Sequence, residues 1–177
     1  MNHIRSIVIT ILFLATSATG SFADDLKFLT NKEYFPALED KIKRANKEIL
    51  VAMYLFRTTD HKGNLATALR EDLIAAASRG VKVMVFLEKE KRGRKGSSLN
   101  DDNAFTAEIL SRGGVKVYLD DPETTSHMKL VAIDSRFVFL GSHNLTDSAL
   151  RFNNEASVMI DSPNIAREAV SFVKGIQ

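Results

Sequence analysis

His127, Lys129 and Asp134 stand in the spacing H-x-K-x-x-x-x-D, and after six intervening residues come Gly141-Ser142-His143-Asn144. That set suits one kind of chemistry. A phosphodiester is anionic and repels nucleophiles. Its cleavage needs a nucleophile, a fixed cation and donors aimed at the oxygens where charge shifts in the transition state. His127 can attack phosphorus as the neutral imidazole, giving a phosphohistidine that water later hydrolyses. Lys129 would neutralise non-bridging oxygens, and Ser142 and Asn144 would donate hydrogen bonds to them. A carboxylate, Asp134 or Glu155, would hold the imidazole tautomer and stabilise its cation. Each residue alone has a bland reading as a turn, cap or surface group. Six fixed positions agree by chance on the order of once in a million start sites, at roughly one in ten to twenty per position.

These side chains must be positioned by the elements around them. His127 and Lys129 are two apart on a predicted strand, so they share a face. The strands predicted at 128–133 and 136–140 flank a tight Asp134-Ser135 turn. Gly141 ends the second of them, where a missing side chain would let a ligand approach the backbone. Asn144 is predicted to cap a short helix reaching about Leu150. Further strands are predicted at 26–29, 49–56, 81–87, 115–119 and 156–160. Thr30 and Glu33 form a capping-box pattern ahead of a helix over 32–46. Leu65, Leu69, Leu73 and Ala77 mark a second helix closed by Gly80. A third is predicted to be capped near Asp101 or Asp102 and ended by Gly113-Gly114. Ser162-Pro163 opens a last helix with the apolar face Ile165, Ala169, Phe172 and Val173. Strands apolar on both faces, alternating with amphipathic helices, predict an α/β/α sandwich with a mixed central β-sheet.

The motif resembles the phospholipase D superfamily, whose hallmark HxKxxxxDxxxxxxGSxN is unbroken here from His127 to Asn144. Single-copy members include small bacterial endonucleases of the Nuc type and the mitochondrial cardiolipin hydrolase or piRNA-processing nuclease group. The similarity in organisation runs over 26–160. The resemblance implies the sandwich fold, a phosphohistidine intermediate, no cofactor and no metal. It also implies a later acidic residue, matched by Glu155 in Asn153-Asn154-Glu155. One motif copy leaves the leaving oxygen without an acid. The family's answer is a two-fold homodimer with one shared active site; the rivals within this chain are His61 and His143. Nuc-type relatives commonly carry aromatics in the final helix, where this chain has only Phe172.

The chain has 177 residues, enough for one domain with a real core. Its formal net charge of +2 excludes a strong global field for a polyanion, so affinity must come from local clustering. The cluster is Lys89, Lys91, Arg92, Arg94 and Lys95, a candidate nucleic-acid contact after a strand. Tyr54, Phe56 and Phe105 read as core residues more readily than as stacking platforms. No cysteine is present, which excludes disulfides and thiolate metal sites. Residues 1–23 read as a cleavable signal peptide with Ser21-Phe22-Ala23 at the cut, leaving one catalytic domain at 24–177. An uncleaved N-terminal anchor is the alternative; either places the domain in the periplasm or outside the cell. The leading expectation is a non-specific, metal-independent endonuclease acting on single- or double-stranded DNA, with RNA also possible as substrate. A phospholipase or phosphatidyltransferase acting on anionic lipid is second. A catalytically dead nucleic-acid-binding module is third.

Overall fold

The computed structural model describes residues 25–91 and 98–176. The expected signal segment, and Arg92, Arg94 and Lys95 of the basic loop, lie outside the described residues. The elements follow in the order β1 (Asp25–Thr30), α1 (Tyr34–Arg44), β2 (Glu48–Met53), α2 (Leu65–Ser78), β3 (Lys82–Leu87), α3 (Leu99–Arg112), β4 (Lys116–Leu119), β5 (Lys129–Ile133), β6 (Phe137–Gly141), α4 (Asp147–Arg151), β7 (Ala156–Asp161) and α5 (Pro163–Gly175). A single 3₁₀ turn, Asn31–Glu33, joins β1 to α1. The Glu33 carboxylate reaches back to the Thr30 N–H at 2.9 Å and its hydroxyl at 2.8 Å, as the capping pattern predicts.

Seven strands form one sheet in the order β1-β7-β6-β5-β2-β3-β4. β2, β3 and β4 run parallel, and every other neighbouring pair is antiparallel. The two-residue periodicity of β2 explains the layering. Ile49, Val51 and Met53 point into a core shared with Tyr34, Leu38, Leu69, Leu73 and Leu110 of α1, α2 and α3. Leu50 and Ala52 point the other way, with Leu130, Ala132 and Val138, towards Ala166 and Val173 of α5. Burial on both faces is what an uninterrupted apolar run implies. The result is the expected α/β/α sandwich on a mixed sheet.

Three local expectations are corrected. α3 starts at Leu99, so Asp101 and Asp102 sit in its first turn, not at its cap; the Ser98 hydroxyl donates to Asp102 at 2.8 Å. Thr146, not Asn144, caps α4, accepting the Ala149 N–H at 3.2 Å. Phe172 does not face the sheet: with Pro163 opening the helix, the inward positions are Ala166 and Val173, flanked by Ile165, Ala169 and Val170, while Phe172 is 60% exposed.

The strand directions decide where chemistry can gather. The ends of β1, β2, β3, β4 and β6 and the starts of β5 and β7 share one edge of the sheet. The Asp134-Ser135 turn occupies the opposite edge, facing the start of β2.

Candidate active site

Lys129 opens β5 opposite Met53. One step beyond the ladder, the Tyr54 N–H donates to the Met128 carbonyl at 2.8 Å. His127 follows outside the ladder, with its imidazole exposed and packed edge-on against the Tyr54 ring, centroids 4.4 Å apart. Lys129 is 8% exposed. Its Nζ donates to the His127 carbonyl at 3.1 Å and lies 3.3 and 3.1 Å from the two ring nitrogens, 4.9 Å from the Tyr54 centroid. Partial desolvation, and then the Lys129 charge, hold His127 below the ordinary imidazole value. The neutral, nucleophilic ring is therefore favoured. Burial also lowers Lys129, opposed by Glu155.

The β6–β7 edge supplies the polar cradle. Gly141 pairs with Ser157, and a Cβ built on it would lie 2.4 Å from the Ser157 Cα and 2.5 Å from the Ala156 carbonyl. The glycine is required by the neighbouring strand, a reason the sequence does not show. The Ser142 hydroxyl donates to the Glu155 carboxylate and accepts the Ala156 N–H at 3.0 Å. Its proton thus braces Glu155 instead of facing the open edge. Asn153 Nδ2 donates to Glu155 at 3.1 Å, and the Glu155 N–H donates to Asn31 Oδ1 at 2.8 Å. Asn144 Oδ1 is buried and has no hydrogen-bond partner among the described residues, an uncommon state for an amide. A half-turn of that amide exchanges oxygen for its N–H₂ donor.

Asp134 is not part of this centre. Five residues along β5, at about 3.3 Å each, place it roughly 16 Å away. It serves the backbone instead: its carboxylate accepts the N–H groups of Asn46 at 3.1 Å, Lys47 at 2.8 Å and Glu48 at 3.1 Å. Of the two carboxylates expected to orient the imidazole, Glu155 is the one at this edge of the sheet, where its charge acts on Lys129.

The rival histidines are placed elsewhere. His143 is fully buried and stacked on Tyr34, centroids 4.2 Å apart. Its Nδ1 lies 2.7 Å from the Ser157 hydroxyl and its Nε2 3.1 Å from the Asn31 carbonyl. His61 lines a separate cavity between the 59–64 loop and α2. Lys91 does reach the active edge. It lines a cavity of about 460 Å³ with Tyr54, Glu90, Pro122, Thr125 and His127, and pairs with Glu123 at 2.6 Å. Lys89 is exposed directly after β3 and the buried Glu88. Tyr54, read in the sequence as core, donates to Glu90 at 3.0 Å and forms one wall of the site. Among the described residues no three His, Asp or Glu side chains converge as metal ligands would.

The model of the family described as cardiolipin synthase, PLD-like domain, matches residues 38–175. A phospholipase D of Rickettsia bellii is 30% identical over 129 residues, which is 73% of this chain and 56% of that protein. The chain spans about half the length of the curated relatives it matches. Among solved structures, Nuc of Salmonella typhimurium superposes with a TM-score of 0.70 at 21% identity, over 87% of this chain and 94% of Nuc. NucT of Helicobacter pylori does so with a TM-score of 0.66 at 20% identity, over 87% and 96%. At such identities the structures share the fold alone. The family match encloses every motif residue from His127 to Asn144, and the chain belongs to the phospholipase D superfamily.

Proposed function

We propose that this chain is an exported phosphodiesterase that cleaves nucleic acid through a covalent intermediate on His127. The observation that carries the proposal is the exposed, neutral-leaning imidazole held beside the buried Lys129 ammonium. An imidazole nitrogen attacks phosphorus, and the bond to the leaving oxygen breaks. Lys129 and the Asn144 amide meet the non-bridging oxygens, while Glu155, braced by Ser142, stabilises the imidazole cation that forms. The leaving oxygen needs a proton, and its donor becomes the base that activates water to cleave the phosphohistidine. His143 is sealed in the core and His61 lines another cavity, which supports His127 of the partner subunit in a two-fold dimer for that role.

Nucleic acid is favoured as substrate by size and by charge. Nuc and NucT are covered almost end to end by this fold, and the sequence resembles Nuc-type endonucleases. Lys91 lines the cavity at His127, and the sequence that follows it adds Arg92, Arg94 and Lys95. The basic start and apolar run of residues 1–23 support export. A second reading, phospholipid cleavage or phosphatidyl transfer, is favoured by the name of the Rickettsia relative and the description of the family model. Parallel assays with single-stranded DNA, duplex DNA, RNA and cardiolipin vesicles, each with and without EDTA, separate the readings. Turnover of nucleic acid that survives EDTA and vanishes in H127A is expected. Turnover of lipid alone would establish the second reading, and loss of activity with EDTA would contradict the histidine mechanism.

A further inference from the structure

The segment carrying the nucleophile is held from both sides. The residue after His127 is tied to the sheet by the Tyr54 N–H on the Met128 carbonyl. The residue before it, Ser126, is tied by a side chain: its N–H donates to the Glu88 carboxylate at 2.6 Å. Glu88 follows the last residue of β3 and is 2% exposed. Its own main chain is fixed, with its N–H on the Met53 carbonyl at 3.3 Å and its carbonyl on Asn103 Nδ2 at 2.9 Å. Asn103 is in turn fully buried and bound to the main chain of Phe56 and Tyr54, both at 2.9 Å.

A buried carboxylate is costly unless it makes charge-assisted bonds. Burial first, and then the charges of Asp120 and Glu90, push Glu88 above the usual carboxylate range, against the pull of the Ser126 N–H. Among the described residues, the other side-chain ties in the 120–128 connection are local turn bonds, from Asp121 to Asp120 and from Glu123 to Asp121, the exposed Lys91–Glu123 pair, and the Lys129 ammonium on His127 itself. Glu88 is thus the buried side chain that anchors this connection to the sheet immediately ahead of the histidine.

We infer that Glu88 is a positioning residue for the nucleophile. By gripping the Ser126 N–H it fixes the main chain that sets the His127 ring between Tyr54 and Lys129. The kinetic consequence rests on the phosphohistidine reading; the geometric consequence does not. Misplacing a reacting group by about 1 Å costs on the order of 100-fold in rate.

Three substitutions separate reach from charge. E88Q keeps an acceptor oxygen at the same reach without the charge. E88D keeps the charge but withdraws the acceptor by one methylene, and E88A removes both. The expected result is kcat lowered about 10- to 100-fold in E88A and E88D with KM within about twofold, and E88Q within about threefold of wild type. The His127 ring ¹H–¹³C signal, identified by its loss in H127A, should move in E88A and E88D and stay in place in E88Q. A wild-type kcat in E88A, an E88D that matches wild type, an E88Q as impaired as E88A, or an unmoved His127 signal in E88A and E88D would overturn the inference. If E88A does not fold, E88D and E88Q decide it. The ring signal needs no substrate, so it tests the inference even if the wild-type protein leaves nucleic acid intact, a result that would sink the nuclease reading alone.

Discussion

An imidazole attacks phosphorus only while it is neutral, and two features of its surroundings keep His127 in that form. Desolvation acts first and the Lys129 ammonium second. The folded-state pKa therefore lies below the ordinary 6.5, and the ring stays neutral as pH drops past that value. By linkage, the stability this contributes is present above 6.5 and is lost as pH falls through the lower folded-state value. The acid limb of kcat/KM should accordingly fall below pH 6.5. Replacing Lys129 by Met removes the cation, so an NMR titration of the His127 ring in K129M should give a higher pKa than wild type; an equal or lower one would contradict the electrostatic account. At this scale the sequence is informative where spacing is. His127 and Lys129 are legible because a two-residue step fixes a shared face, and Ser142, Asn144 and Glu155 because the motif and its later acidic residue resemble those of the family. Tyr54 and Glu88 are not. Tyr54 sits inside an apolar run that reads as core, and Glu88 reads as a counter-charge to a basic loop. Only the β2–β5 pairing and the fold of the 120–128 connection bring them to the histidine.

The β5–β6 hairpin explains why one motif residue stands apart from the chemistry. Asp134 and Ser135 both have positive φ, 54° and 53°, which a two-residue turn of this hand demands. From there the Asp134 carboxylate gathers three backbone N–H groups that lead into β2. It locks the strand that leads to Tyr54 against the strand that Lys129 opens, at the end remote from both. Substituting Asp134 by Ala should cost about 1–3 kcal/mol of stability in urea unfolding and leave kcat of the folded enzyme near wild type. Asn, which tolerates left-handed backbone and keeps an acceptor, should cost less. Full stability with lost kcat would return Asp134 to the active site. The motif spacing does not distinguish these roles, because it records distance along the chain and not which edge of the sheet a strand end reaches. The same limit explains Phe172, whose helical spacing is apolar but whose face follows from where Pro163 starts α5.

For the whole molecule, the layers are legible in the sequence and the strand order is not. Apolar runs between amphipathic segments imply a covered sheet. The order β1-β7-β6-β5-β2-β3-β4 depends instead on the antiparallel return of β5, β6 and β7 beside a parallel β2-β3-β4 unit. That return gathers His127, Lys129, Ser142 and Asn144 at one edge and leaves Asp134 at the other, with the rival histidines placed elsewhere. If the second imidazole belongs to a partner subunit, specific activity should fall on dilution in step with dimer dissociation followed by sedimentation. Full activity in a proven monomer would refute the shared site. The central claim is the covalent step at position 127. Wild-type enzyme quenched in alkali during turnover of an oligonucleotide carrying ³²P at an internal linkage should carry acid-labile label on His127, and H127A should carry none. Rapid turnover with the His127 ring unlabelled would contradict it.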